Sequence, residues 1–250
     1  MFRSLPHVQQ GRRLAVPILV FHKIGPIPAD ARYPRNYVRA EQFDALLGSL
    51  ARAGFESIGF DRYLASRRGE SVLPRNPIIL TFDDGYRSNA EIAAPIMRKH
   101  GVRATIFIVP GRLGRTNDWD ADERQEPLMT ADEIRALHAD GFAFGSHTMN
   151  HVRLTTATPE VALQELRTSR TALEDLLGKS VRVICYPWAQ HDETARRLAR
   201  EAGYECGVGI RRRLNRAGTD VMALNRIPVT YLDSTWRVRW DLFRLQFRSS

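Results

Sequence analysis

Lysine is nearly missing from this chain: Lys23, Lys99 and Lys179 stand alone among 37 basic residues, and the rest are arginine. Cysteine is as scarce. Cys185 and Cys206 are the only two, neither belongs to a CxxC pair, and two thiols cannot staple a disulfide scaffold. Both lie in apolar stretches and are expected to be buried and free. No apolar run approaches the ~20 residues of a membrane span. The stretch from Ala15 to Phe21 is too short and too late to be a signal-peptide core, so a cytoplasmic location is expected. Low-complexity tracts, Ser/Gly linkers and internal repeats are absent, and a single domain accounts for residues 1–250.

What is present suits a folded α/β protein. A hydrophobic fraction of 43% is enough for a sizeable core, and 26% charged residues is ordinary for a soluble domain. The net charge of +9 favours anionic partners, although spread-out arginine also fits a compositional habit. Charge alone, with no recognised motif, does not make a nucleic-acid binder, and none is expected here.

Strand and helix patterns alternate along the chain. Apolar runs at Ala15 to Phe21, Pro77 to Phe82, Ala104 to Val109, Phe142 to Gly145, Val181 to Tyr186, Glu205 to Ile210 and Arg226 to Val229 read as strands. Helices are expected near Phe43 to Leu50, from Asn89 to His100, and after Thr130, where Glu133 completes a capping box. Two more are expected after Thr158-Pro159, with Val161, Leu163, Leu166, Leu173, Leu176 and Leu177 as its buried side, and from Asp192 to Ala202. Alternation of this kind implies a parallel sheet. The chemically capable residues fall just after strand ends, where α/β folds build their sites.

Thr81-Phe82-Asp83-Asp84-Gly85 sets two carboxylates at the end of an apolar strand, before a glycine that permits a tight turn. A plain turn with a helix cap would read the same way. His147 and His151 are four residues apart and on a helical turn would share one face. Asp, His and His together form a three-ligand set that leaves room for water and substrate. The second aspartate is then available as a general base.

These motifs resemble those of the polysaccharide deacetylases, the NodB-homology or carbohydrate esterase 4 family, over roughly Pro17 to Val229. The match rests on Thr81 to Gly85, on His147-Thr148-Met149-Asn150-His151, and on Gly101 to Phe107 and Gly141 to His147. The resemblance implies a distorted (β/α) barrel, with a core over about 15–230. It implies a metal-dependent deacetylase that removes N-acetyl groups from amino sugars of a poly- or oligosaccharide, with a metal-bound water as nucleophile. Asp83 would be the catalytic base, and Asp84, His147 and His151 the ligands of one divalent transition metal. Zinc is expected, and cobalt, manganese, nickel or iron would also serve.

The remaining motifs depart from the family pattern. Cys185-Tyr186-Pro187-Trp188-Ala189 resembles its Arg-x-Pro-Tyr-Gly segment, with Trp188 at the aromatic position whose N–H helps hold the oxyanion. Tyr186 and Pro187 would touch substrate. Cys185 replaces the arginine that orients the catalytic aspartate. The wording is similar to that of poly-N-acetylglucosamine deacetylases. The late segment Leu224 to Val229 has no histidine to act as general acid, and Arg226 is expected there as a substrate contact. His22, in Phe21-His22-Lys23-Ile24, is the candidate acid, with His191 as a second. These departures also admit a catalytically impaired glycan-binding relative. The resemblance further places such proteins often outside the cytoplasm. In the tail, 232–248, Trp236, Trp240, Phe243 and Phe247 recur at helical spacing among arginines. That face would pack on the barrel or lie on an anionic membrane surface.

Overall fold

The computed structural model describes residues 15–247. Seven parallel strands run side by side in the order β10 (Ile227–Pro228), β1 (Ile18–Phe21), β5 (Pro77–Phe82), β6 (Thr105–Ile108), β7 (Ala143–Ser146), β8 (Val183–Cys185) and β9 (Cys206–Val208). A short β4 (Glu56–Ser57) pairs with the start of β5. The stretch before β10 turns the sheet into a distorted barrel. On one side Gly209 N–H donates to Leu224 O at 2.9 Å and Arg211 N–H to Arg226 O at 3.1 Å. On the other, Ile227 and Pro228 pair with Leu19 and Val20 of β1.

The strands read as continuous apolar runs because both faces are buried. Ile18, Ile79, Phe107, Val183, Cys185 and Val208 pack with one another on one face. Their neighbours Leu19, Leu80, Ile106, Ile108 and Ile184 pack under the helices on the other. Those helices are α1 (Ala40–Arg52), α3 (Ala94–Lys99), α4 (Ala131–Ala139), α5 (Pro159–Leu177), α6 (Glu193–Glu201) and α7 (Thr235–Phe247). The inner group is completed by Phe60, Tyr63 and Leu64 of α2 (Phe60–Arg67), a helix the sequence pattern did not reveal. Both cysteines are buried and free. Among the described residues no helix is long and apolar enough to cross a membrane.

The capping box that starts α4 is present in full. Thr130 N–H donates to Glu133 Oε2 at 2.7 Å, and Glu133 N–H donates back to Thr130 Oγ1 at 3.3 Å. Thr130→Ala should therefore cost about 1 kcal/mol, read as a lower urea midpoint at unchanged slope.

Three expectations need correction. The stretch expected to be one helix from Asn89 opens as a π-turn over Asn89–Ala93 and becomes α-helical only at Ala94, next to Pro95, which has no N–H to give. In α5 the buried residues are Ala162, Leu166, Ser169 and Leu173, while Val161 in its first turn is 50% exposed. In α7, Val238 and Leu242 are the buried side chains. Trp236, Trp240 and Phe243 stack along the exposed face instead of packing on the barrel. Phe247 is within α7, but its side chain lies outside the described residues.

Candidate active site

β5 delivers both carboxylates. Thr81 and Asp83 point to the same face of the strand, as residues two apart must. Asp83 N–H continues the ladder by donating to Phe21 O at 3.0 Å. Asp84 then takes a left-handed backbone, φ 71°, followed by Gly85 at φ 73°. This reversal turns Asp84 away from Asp83 and costs on the order of 1 kcal/mol at a non-glycine residue. The φ of 73° is what calls for glycine at position 85; a Cβ there would also meet the end of the Ile108 side chain at 2.8 Å and displace it.

β7 delivers the histidines, though not on a helical turn as expected. The segment after Ser146 is an irregular loop with Thr148 at φ 63° and His151 at φ 59°. Its own side chains shape it. Thr148 N–H donates to Ser146 Oγ at 3.1 Å, Val152 N–H to Thr148 Oγ1 at 3.2 Å, and Asn150 is held by Glu165 of α5 through two hydrogen bonds. The loop brings both imidazoles to one carboxylate. His147 Nε2 is 3.3 Å from Asp84 Oδ1, and His151 Nε2 is 3.5 Å from the same oxygen.

These three donors lie within 4.8 Å of one another. His147 donates from Nδ1 to the carbonyl of Cys185 at 2.8 Å, which leaves the Nε2 lone pair turned to the site. His151 stacks on Trp119 with ring centroids 4.5 Å apart and meets Trp188 edge-on at 5.1 Å. Burial, then the neighbouring His147, pushes His151 down to about 3, so it stands as a neutral ligand. Burial would raise the Asp84 carboxyl, but His147, His22 and His151 outweigh it and hold Asp84 below the usual carboxylate range. One carboxylate and two imidazoles in this cluster fit a divalent transition metal.

Asp83 has a different partner. Arg226 is fully buried and grips it with two parallel bonds, Nη1 to Oδ1 at 2.6 Å and Nη2 to Oδ2 at 2.8 Å. The guanidinium is itself fixed by Gly209 O at 2.9 Å, Thr81 Oγ1 at 3.2 Å and Cys185 Sγ at 3.0 Å. Burial would raise Asp83, but Arg226 overrides it and holds the carboxyl below its ordinary value. Arg226 is thus enclosed behind Asp83, not in the groove where a substrate contact was expected. It holds Asp83, the task expected of the arginine that Cys185 replaces. The small Cys185 side chain leaves room for a guanidinium arriving from the neighbourhood of β10.

The other expected residues divide. His22 lines the catalytic pocket, with Nε2 3.9 Å from Asp83 Oδ2. Trp188 also lines it, at φ 61°; the residue is 37% exposed, and the Arg153 guanidinium lies over its ring. Tyr186 borders the pocket, yet its ring is fully buried and its hydroxyl donates to Met222 O at 2.9 Å. Pro187 is buried beside it and does not line the pocket. His191 packs on Tyr186 outside the catalytic pocket, so it is not placed to serve as the acid.

Sequence reasoning missed Trp119 and Asp120, which come from the irregular segment after β6 and line the pocket beside Asp84. Burial, then the negative charges of Asp84 and Glu123, raise the Asp120 carboxyl. It also missed Lys23. That side chain is buried between the rings of Tyr37 and Tyr86, at 4.6 and 4.7 Å from their centroids. No periodic pattern marks these residues, because their roles depend on a loop closing over the strand ends.

The pocket around Asp83 and Asp84 is small, about 80 Å³, and opens past His22, Asp120 and Trp188 into a groove of about 800 Å³. That shape fits a small acyl group held at the bottom while a longer chain lies along the groove.

Comparison with known proteins agrees with this geometry. Residues 71–207 match the family model described as polysaccharide deacetylase. A Staphylococcus aureus protein named poly-beta-1,6-N-acetyl-D-glucosamine N-deacetylase is 22% identical over 84% of this chain and 74% of its own length. Among solved structures, the Streptococcus pyogenes deacetylase PplD in complex with acetate superposes with a TM-score of 0.81, at 23% identity, over 94% of this chain and 100% of its own. IcaB from Ammonifex degensii gives 0.78, also at 23% identity, over 93% and 98%. With the family model covering more than half of the sequence, this chain belongs to the polysaccharide deacetylase family, hydrolases acting on carbon–nitrogen bonds other than peptide bonds.

Proposed function

We propose that the protein removes N-acetyl groups from amino sugars of a poly- or oligosaccharide, using one divalent metal held by Asp84, His147 and His151. The observation that carries this reading is the buried Asp83–Arg226 pair set directly beside the Asp-His-His cluster. A carboxylate kept ionised by a guanidinium, next to a ligand set, is free to accept a proton from water there. The amino-sugar amide is favoured by the name of the staphylococcal relative.

When bound, the metal supplies positive charge that polarises the acyl carbonyl and acidifies water. The donor set favours zinc and accommodates cobalt, manganese, nickel or iron. Asp83 takes the proton of the attacking water. The Trp188 backbone N–H is assigned to the oxyanion. The carbon–nitrogen bond then breaks, His22 protonates the departing nitrogen, and acetate and a free amino sugar are left. His22 suits this role because it is the imidazole that lies near Asp83, reaches the groove and is not a metal ligand. The glycan-binding alternative rested on the missing arginine and the missing late histidine; the Arg226 grip on Asp83 speaks against the first ground, and His22 is assigned the role left open by the second.

Purified protein should carry close to one transition metal per chain and release acetate from an N-acetylated oligosaccharide. A chelator should stop the release, and zinc or cobalt should restore it. No acetate after metal add-back would sink the proposal. His22→Gln should lower kcat about 100-fold while metal content stays at the wild-type level.

A further inference from the structure

Another cavity, of about 420 Å³, adjoins the catalytic pocket, and Ala189 and Ile210 line both. No carboxylate lines this cavity, while His191, Arg196 and Arg211 do. Arg196 approaches His191 Nδ1 at 3.2 Å. A guanidinium can only donate, so Nδ1 accepts and the imidazole proton sits on Nε2. A Cβ on Gly209 would lie 3.0 Å from that Nε2, so glycine leaves the ring its room at the cavity wall. Arg196 is also paired with Asp220 at 3.5 Å, which leaves Arg211 as the cavity's free cation among the described residues. Burial, then the charges of Arg196 and Arg211, lower the His191 pKa against the opposing pull of Asp220 and Asp192.

The groove on the other side of Ile210 is lined by Arg35, Arg153, Arg212 and Arg237 against Asp120 and Asp233, an excess of positive charge. Its Asp233 is already taken by Arg212 at 3.4 Å and Arg237 at 3.5 Å. Arg35 and Arg153 line this groove and Arg211 the adjoining cavity; all three are exposed, and among the described residues none has a carboxylate within ion-pair distance. Guanidinium groups bind carboxylate and phosphate through paired hydrogen bonds and draw such ligands in from a distance.

We infer that the substrate is an acidic glycan: the saccharide flanking the deacetylated sugar carries a carboxylate or phosphate, received by Arg211 and His191, and Arg35 and Arg153 accompany further acidic groups along the groove. This rests on the deacetylase reading and narrows its substrate class.

Binding tests it without turnover. Calorimetric titration with oligogalacturonate, a phosphorylated oligosaccharide and a neutral oligosaccharide of equal length, in about 0.15 M salt, compares the two anion sources with an uncharged chain. Either acidic ligand should bind at least about tenfold tighter than the neutral one, and the tighter of the two names the anion. Arg35→Gln with Arg211→Gln should weaken acidic binding about tenfold and leave neutral binding unchanged. Arg75→Gln removes an exposed charge just before β5, at the end of that strand opposite Asp83, and should change neither. Equal affinity for acidic and neutral ligands, or an equal loss in Arg75→Gln, would overturn the inference. Acetate release from an N-acetylated substrate is scored separately, so the deacetylase reading stands or falls on its own result.

Discussion

Arg226→Met should destabilise the protein by about 3–5 kcal/mol and lower acetate release by at least ~100-fold. The stability loss follows from leaving the Asp83 carboxylate buried without a counter-charge. The activity loss follows from the proton. In the wild type Arg226 holds Asp83 below its ordinary value, so the base is ionised at neutral pH. With Arg226 gone, burial is the dominant remaining influence and drives the carboxyl upward.

The two proteins should therefore respond to pH in opposite senses. In the wild type the folded pKa of Asp83 is depressed. Its contribution is present above the unfolded carboxylate value near 3.8 and is lost as pH falls toward the folded value. In Arg226→Met the folded pKa is raised, the unfolded chain releases its proton first, and stability falls as pH rises above about 4. Urea unfolding between about pH 4 and pH 8, with chelator present so that metal does not contribute, should show the gap narrowing in acid. Arg226→Lys keeps the charge but gives up the two-pronged grip and the bond to Gly209 O. It should recover much of the stability and little of the activity. A constant gap across pH would mean that Arg226 acts by packing alone.

Asp84→Asn should abolish metal retention and reduce acetate release by at least ~1,000-fold while the chain stays folded. Asparagine keeps the shape but offers no negative charge to the cation, so the ligand set loses its anionic member. Near neutral pH the fold should be weakened but not lost: the ionised Asp84 contributes beside its two imidazoles, while asparagine keeps the shape and the hydrogen-bonding capacity there. Asparagine tolerates the left-handed φ of 71° better than most residues. Elemental analysis beside circular dichroism separates the outcomes. Retained metal would mean that the cation is held by other groups, with Asp83, His147 and Cys185 as the next set. Lost metal with lost fold would mean that the cation is structural.

Several parts of this protein are written locally. Apolar runs ending in polar residues placed β1, β5, β6 and β8 to within a few residues, because a strand buried on both faces needs an uninterrupted apolar stretch. The capping box at Thr130 is short-range chemistry and appears as read, and α6 begins where the helix was expected, with the Asp192 side chain accepting from Ala195 N–H. The Asp83-Asp84-Gly85 turn was legible because Gly85 follows it directly. The α7 aromatics were not, since helical spacing names a face without saying what covers it, and the barrel takes Val238 and Leu242 instead.

The sequence by itself determined the strand–helix alternation and the two short motifs that carry Asp83, Asp84, His147 and His151. Each depends on neighbours a few positions away. Only the tertiary structure decided that the histidines meet Asp84 through a left-handed loop rather than a helix. It also decided that Trp119 and Asp120 close the pocket, and that Arg226 stands 143 positions from the carboxylate it ionises. A sequence motif records spacing along one segment. Arg226 reaches Asp83 because the sheet curls until the stretch before β10 lies beside β9 and β10 pairs with β1, and that closure is a property of the whole barrel.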